Sequence, residues 1–174
     1  MNLDDLERAI PNLSPLKARE PRRIAWDELC GDLGTTLPGD FVELAEAYPA
    51  FSLSDFLSVH LPDPGREAEF ADGVRESLRP LASLSDEDMT EGYVPYPAAG
   101  GLIPWGDSAE GDAFYWHTAA EDPDAWTVVV ETTNGYWATY DGTLTDYLTG
   151  LATGAVEPDG LPSEFPGDNP SVEL

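Results

Sequence analysis

The sequence is short of positive charge. Its 174 residues include one lysine and seven arginines against 34 aspartates and glutamates, a formal charge of −26 at pH 7. All eight cations fall within residues 1–79, while residues 80–174 hold 18 acids and no lysine or arginine. Sequence-independent binding to nucleic acid needs many cationic contacts to phosphate, so no nucleic-acid partner is expected. An anionic membrane surface repels the chain for the same reason. Cysteine is nearly missing too. Cys30 stands alone, which excludes an intramolecular disulfide and a cysteine-rich metal site. No apolar run approaches the ~20 residues that span a bilayer. The start, Met1-Asn2-Leu3-Asp4-Asp5, has neither the basic nor the apolar region of a secretory signal. The expected location is the cytoplasm.

Patterns that carry chemistry are equally scarce. His60 and His117 are the only histidines, far apart in sequence and outside any metal-binding spacing. No serine sits in a Gly-x-Ser-x-Gly elbow, and Cys30 lies on an apolar helical stripe that disfavours a thiolate. Ala99-Gly100-Gly101 lacks the spacing and the lysine of a phosphate loop. Gly106-Asp107-Ser108-Ala109-Glu110-Gly111-Asp112 offers alternating oxygens for a hard cation but not the 12-residue EF-hand frame, and it suits a tight turn before a strand better. No catalytic residue, metal or cofactor is expected, and the chain does not read as an enzyme.

What is present argues for folding. Hydrophobic residues make up 41% of the chain, with 5 Trp, 7 Tyr and 6 Phe, enough to fill a core despite the charge. Apolar residues recur at helical spacing in Trp26/Leu29/Cys30/Leu33, in Phe41/Leu44/Ala45/Tyr48 and in Leu144/Tyr147/Leu148/Leu151. Phe70, Val74, Leu78 and Leu81 make a fourth stripe, interrupted by Gly73 and Pro80, and Leu3, Leu6 and Ile10 a short first one. Strands are expected at 57–61, 113–118, 127–131 and 136–140. Asn134-Gly135 between the last two predicts a type I′ hairpin. Helices, an antiparallel meander and a closing helix define an α+β domain. The chain divides into an N-terminal helix and solvated linker (1–23), the α+β domain (24–154) and a Pro- and acid-rich arm (155–174). The arm reads as extended, either frayed or tacked down by Leu161 and Phe165.

Several of these pieces occur together in one known pattern. Trp26-x-x-Leu29, Leu33-Gly34-x-x-Leu37-Pro38-x-Asp40-Phe41, Ile103-Pro104-Trp105-Gly106-Asp107, Gly111-Asp112 before Tyr115-Trp116, Trp126-x-Val128-Val129-Val130, Tyr140 and the helix closing at Gly154 follow in order. In this the chain resembles the SMI1/KNR4 family, the SUKH superfamily, over roughly residues 24–154. The insert near 66–91 is less typical, and the proline-spaced tail lies outside the pattern. The resemblance implies an antiparallel sheet flanked by helices and a binding role without shared catalytic residues. Bacterial members are similar to immunity proteins that neutralise toxins, frequently nucleases or deaminases. Fungal members act in cell-wall and signalling regulation, so a regulatory or scaffold module is the alternative.

Charge suits the first role, since an anionic protein is steered to the cationic cleft of a toxin acting on nucleic acids. The expected partner is therefore a basic protein domain, and the chain itself a monomer or weak dimer. The candidate contact residues are Asp107, Glu110, Asp112, Glu121, Asp122, Asp124 and Asp141. Trp105, and beside it Trp126 or Trp137, are candidate aromatic anchors.

Overall fold

The computed structural model describes residues 2–174. In chain order it contains α1 (Leu3–Ala9), α2 (Trp26–Leu33), α3 (Gly39–Ala47), β1 (Phe51–Leu53), β2 (Leu57–Val59), α4 (Glu67–Asp86), β3 (Leu102–Ser108), β4 (Ala113–His117), β5 (Thr127–Glu131), β6 (Trp137–Tyr140), α5 (Leu144–Thr153) and β7 (Val172–Glu173). Short 3-10 turns cover Pro11–Leu16 and Pro123–Ala125. All seven strands form one antiparallel sheet in the order β6-β5-β4-β3-β2-β1-β7. This is the α+β architecture expected from the sequence.

Helix ends follow local chemistry. Thr143 and Asp146 form a capping box that opens α5, and Gly34 and Gly154 close α2 and α5 with φ of +79° and +71°, where a side chain would be strained. Helix α4 runs straight through Gly73 and Pro80. Both lie on its exposed side, while Ala71, Val74, Leu78 and Leu81 are buried, so the packed stripe holds where local propensity falters.

Pairing register assigns the sheet's two faces. Ile103, Phe114, Trp116, Val128, Val130 and Tyr140 share one face. That face packs on α3 and α5: Phe41 meets Trp116 edge-on at 4.8 Å, and Tyr147 lies 5.5 Å from Tyr140. The opposite face carries Ser58, Asp107, Ala113, Tyr115, Glu131 and Thr139 and is markedly more polar.

Both flanking segments are tied to the domain, the C-terminal arm through Phe165 and Leu161, the second of its two expected forms. Residues 13–23 are mostly exposed, as expected of a linker, but are tied to the domain at both ends. Leu13 is fully buried in the common core, and the Arg22 guanidinium donates to the Ala45 and Tyr48 carbonyls at 2.9 and 2.6 Å, satisfying the end of α3. The C-terminal arm does not fray: Phe165 is buried against Phe56 (4.9 Å) and β7 adds a strand beside β1.

The Asn134-Gly135 turn is also not type I′. Only Gly135 takes positive φ (+74°), Gly135 N–H bonds the Thr132 carbonyl at 2.9 Å, and Thr132 N–H bonds Tyr136 O at 2.9 Å. This is a type I turn closed by a left-handed glycine. Two consecutive left-handed residues occur instead at Ser54 and Asp55, between β1 and β2, with φ of 54° and 52°.

Candidate partner-binding surface

The meander sorts the candidate acids by strand direction. The β1–β2, β3–β4 and β5–β6 turns all lie at one end of the sheet, bringing Asp107, Glu110 and Asp112 there. The β4–β5 connection and the residues after β6 lie at the other end, with Glu121, Asp122, Asp124 and Asp141. The seven carboxylates therefore form two groups, one at each end of the sheet.

Several of them have structural duties. Asp112 is buried; its carboxylate accepts from Ser108 Oγ and, at 3.0 Å, from the Thr133 backbone N–H. It ties two turns together and is withdrawn from the surface. Asp124 accepts the Gly39 N–H at 2.6 Å, capping α3 from 85 residues away. Asp122 accepts the N–H of Asp124 at 3.0 Å. Glu110, Glu121 and Asp141 are exposed, and among the described residues no hydrogen bond or ion pair engages their carboxylates.

The aromatic anchors are corrected outright. Trp105 is fully buried: two residues from Ile103, it shares that residue's face and packs against Phe114 (5.2 Å) and Tyr147, while the irregularity between Pro104 and Gly106 moves Asp107 onto the polar face. Trp126 is buried with its indole N–H on the Ala120 carbonyl at 3.0 Å, and Trp137 is buried under Tyr93 at 5.0 Å. A sheet this small needs its large rings for its own core.

The polar face bears a groove. Two adjoining cavities, about 430 and 220 Å³, share His60, Ser77 and Pro104 and run between α4 and the sheet. His60 Nε2 lies 3.1 Å from Asp107 Oδ2, both side chains half exposed, so the two form an ion pair whenever the imidazole is protonated. Among the described residues no hydroxyl or thiol is hydrogen-bonded to His60. Cys30 is remote on α2, where burial pushes its thiol up against the pull of the Leu37 backbone. No group of three or more His, Cys, Asp or Glu side chains suited to a metal ion occurs among the described residues. No described helix is long and apolar enough to cross a membrane.

Beside the groove, Tyr115 donates to Glu131 Oε2 at 3.0 Å. Burial pushes the Glu131 carboxyl up, and the Tyr115 hydroxyl only partly offsets it. Glu131 escaped the sequence reading because it ends an apolar strand run. Its strand parity placed it on the polar face, which was the available signal.

Charge pairing divides the molecule in two. Six of the eight cations are ion-paired: Arg8, Lys17, Arg22, Arg66, Arg75 and Arg79 pair with Asp5, Glu7, Asp63, Glu69, Asp72 and Glu76 respectively. Every one of these acids lies before residue 80. Among the described residues, no exposed carboxylate of 80–174 is ion-paired with a lysine or arginine.

No family model, no curated protein and no solved structure matches the chain.

Proposed function

We propose that this is a non-catalytic binding protein whose partner is a cationic protein domain, and that it serves as an immunity protein covering the basic cleft of a toxin such as a nuclease or deaminase. One observation carries the reading: six of the eight cations pair with acids of the first half and none pairs with an exposed carboxylate of residues 80–174, which are left uncompensated. A field of one sign projects from that region and accelerates encounter with a basic surface, typically by about 10- to 1,000-fold. The resemblance of the sequence to the SMI1/KNR4 family supports the same role. Cytoplasmic residence fits it as well.

The test starts from the partner recovered with the protein from its native host and identified by mass spectrometry. Association followed by stopped flow should slow at least ~10-fold as ionic strength rises from 0.01 to 0.1 M, where the Debye length falls from about 30 to about 10 Å. Combined reversal, Glu110→Lys, Glu121→Lys and Asp141→Lys, should slow it further with little change in dissociation. An association rate indifferent to salt and to these reversals, or a partner without basic surface, overturns the proposal. A basic partner with no toxic activity in cells lacking this protein removes the immunity role and leaves a regulatory module.

A further inference from the structure

The sheet treats its two edges differently. At one edge, β1 is covered by the chain itself. The arm anchors on Ser54, whose N–H bonds the Ser171 carbonyl and whose hydroxyl donates to the Pro166 carbonyl, and then lays down β7. At the other edge, β6 has β5 as its single neighbour.

The hydrogen-bonding parity of β6 follows from its turn. Thr132 N–H bonds Tyr136 O at 2.9 Å, and Glu131 pairs with Trp137 in register. In an antiparallel ladder hydrogen-bonded and non-hydrogen-bonded pairs alternate. Ala138 and Tyr140 therefore bond to β5, while the N–H and C=O of Trp137 and Thr139 point off the sheet. No hydrogen bond among the described residues engages those four groups. Natural edges are usually blunted by lysine, proline, bulges or a covering segment. The Trp-Ala-Thr-Tyr strand has none of the first two, although the same chain covers its other edge.

We infer that β6 is a docking edge for an extended, cationic segment of the partner, which adds an eighth strand beside Trp137 and Thr139. Charge selects this occupant. Asp141 follows the strand at one end, and Tyr136, at the other, donates to Asp159 Oδ2 at 2.9 Å, so carboxylates stand at both ends of the edge. Glu131 lies opposite Trp137 on the polar face. A second copy would bring identical acidic ends together between chains of charge −26. A β-prone segment flanked by lysine or arginine satisfies both the open backbone groups and the acids. This inference rests on the reading of the protein as a binder of a basic domain and specifies the surface and the strand-like form of the contact.

Amide hydrogen exchange on the intact protein tests it, with two synthetic nonapeptides as probes. One is Lys-Lys-Thr-Val-Thr-Val-Thr-Lys-Lys; the other has proline for both valines and carries the same charge. At saturation the first should protect the Trp137 and Thr139 amides at least ~10-fold, and the proline peptide should not. Thr139→Pro removes an outward N–H without touching the bonds to β5, and should weaken binding of the first peptide at least ~10-fold. If that variant fails to fold, Thr139→Arg keeps the N–H, places a cation on the edge and should weaken binding likewise. Equal effects from both peptides, or protection confined elsewhere, overturn the docking edge while the anionic binding surface stands. Failure of both peptides to bind overturns both readings. A dimer in sedimentation with Trp137 and Thr139 already protected assigns the edge to a second copy and overturns the inference.

Discussion

Asp112 accepts the backbone N–H of Thr133 at 3.0 Å, so a single carboxylate ties the β3–β4 turn to the β5–β6 turn. The same carboxylate accepts the Ser108 hydroxyl. An acid that reads in sequence as a contact residue is thus a rivet between two neighbouring loops, and the molecule's anionic surface is built from other carboxylates.

Asp112→Ala leaves the Thr133 N–H and the Ser108 hydroxyl without their acceptor. The expected loss is about 1–3 kcal/mol, read by urea denaturation, because a buried donor retains its desolvation penalty. Asp112→Asn, which keeps one acceptor, should lose less.

Asp124→Ala removes the acceptor for the first N–H of α3. Loss of a helix cap costs about 1 kcal/mol, and the melting temperature should fall accordingly. Glu121→Ala, three residues away but exposed and unpaired, should leave stability unchanged.

Trp105→Ala empties the space against Phe114 and Tyr147. Such truncations cost about 3–5 kcal/mol, so calorimetry should show a severely destabilised or unfolded chain. A well-folded variant defective only in partner binding would contradict the buried position.

Two carboxylates should respond to pH in opposite directions. Glu67 accepts the Ala25 and Gly65 N–H groups at 2.8 and 3.1 Å, and these bonds, that from Ala25 foremost, hold its carboxyl below the usual range. Its stabilisation is full above the unfolded-state value and is lost as pH falls through the lowered one. Glu67→Gln should therefore lower the melting temperature at pH 7, with the deficit shrinking in acid. Glu131 is held up by burial, so the folded state favours its neutral form. That contribution is present below the ordinary carboxylate range and is lost as pH rises through the raised value. Glu131→Gln should raise the melting temperature at pH 7 and match the parent in acid.

Deleting residues 161–174 removes Phe165 from Phe56 and strips β7 from β1. The truncated chain should melt lower and self-associate through the bared edge, measurable by light scattering against the full chain.

Much of this was legible in the chain. The 3.6-residue stripes located α2, α3 and α5, the β-branched and aromatic runs located β4, β5 and β6, and the absence of cations after Arg79 marked the anionic half. Each is a local property, carried by side-chain period or by composition. Strands β1, β3 and β7 went unread: β1 and β7 are two or three residues long without a clear apolar-polar alternation, and in β3 Pro104 and Gly106 interrupt the run, so that 106–112 reads as a turn although 106–108 belong to the strand.

What only the tertiary structure decided depends on which distant groups meet. Whether an aspartate is a cap, a rivet or a free surface charge is settled by partners far along the chain, as with Asp124 at Gly39 and Asp40 at Thr145. Whether a tryptophan is core or surface depends on what covers it: α3 and α5 on one face of the sheet, Tyr93 over Trp137 on the other. The division of the acids between two ends of the sheet, and the open edge at β6, follow from strand order, which local periodicity does not encode. Composition and the placement of the cations determined that the second half is anionic; long-range contacts determined which of its carboxylates the fold ties up, as at Asp112 and Asp124.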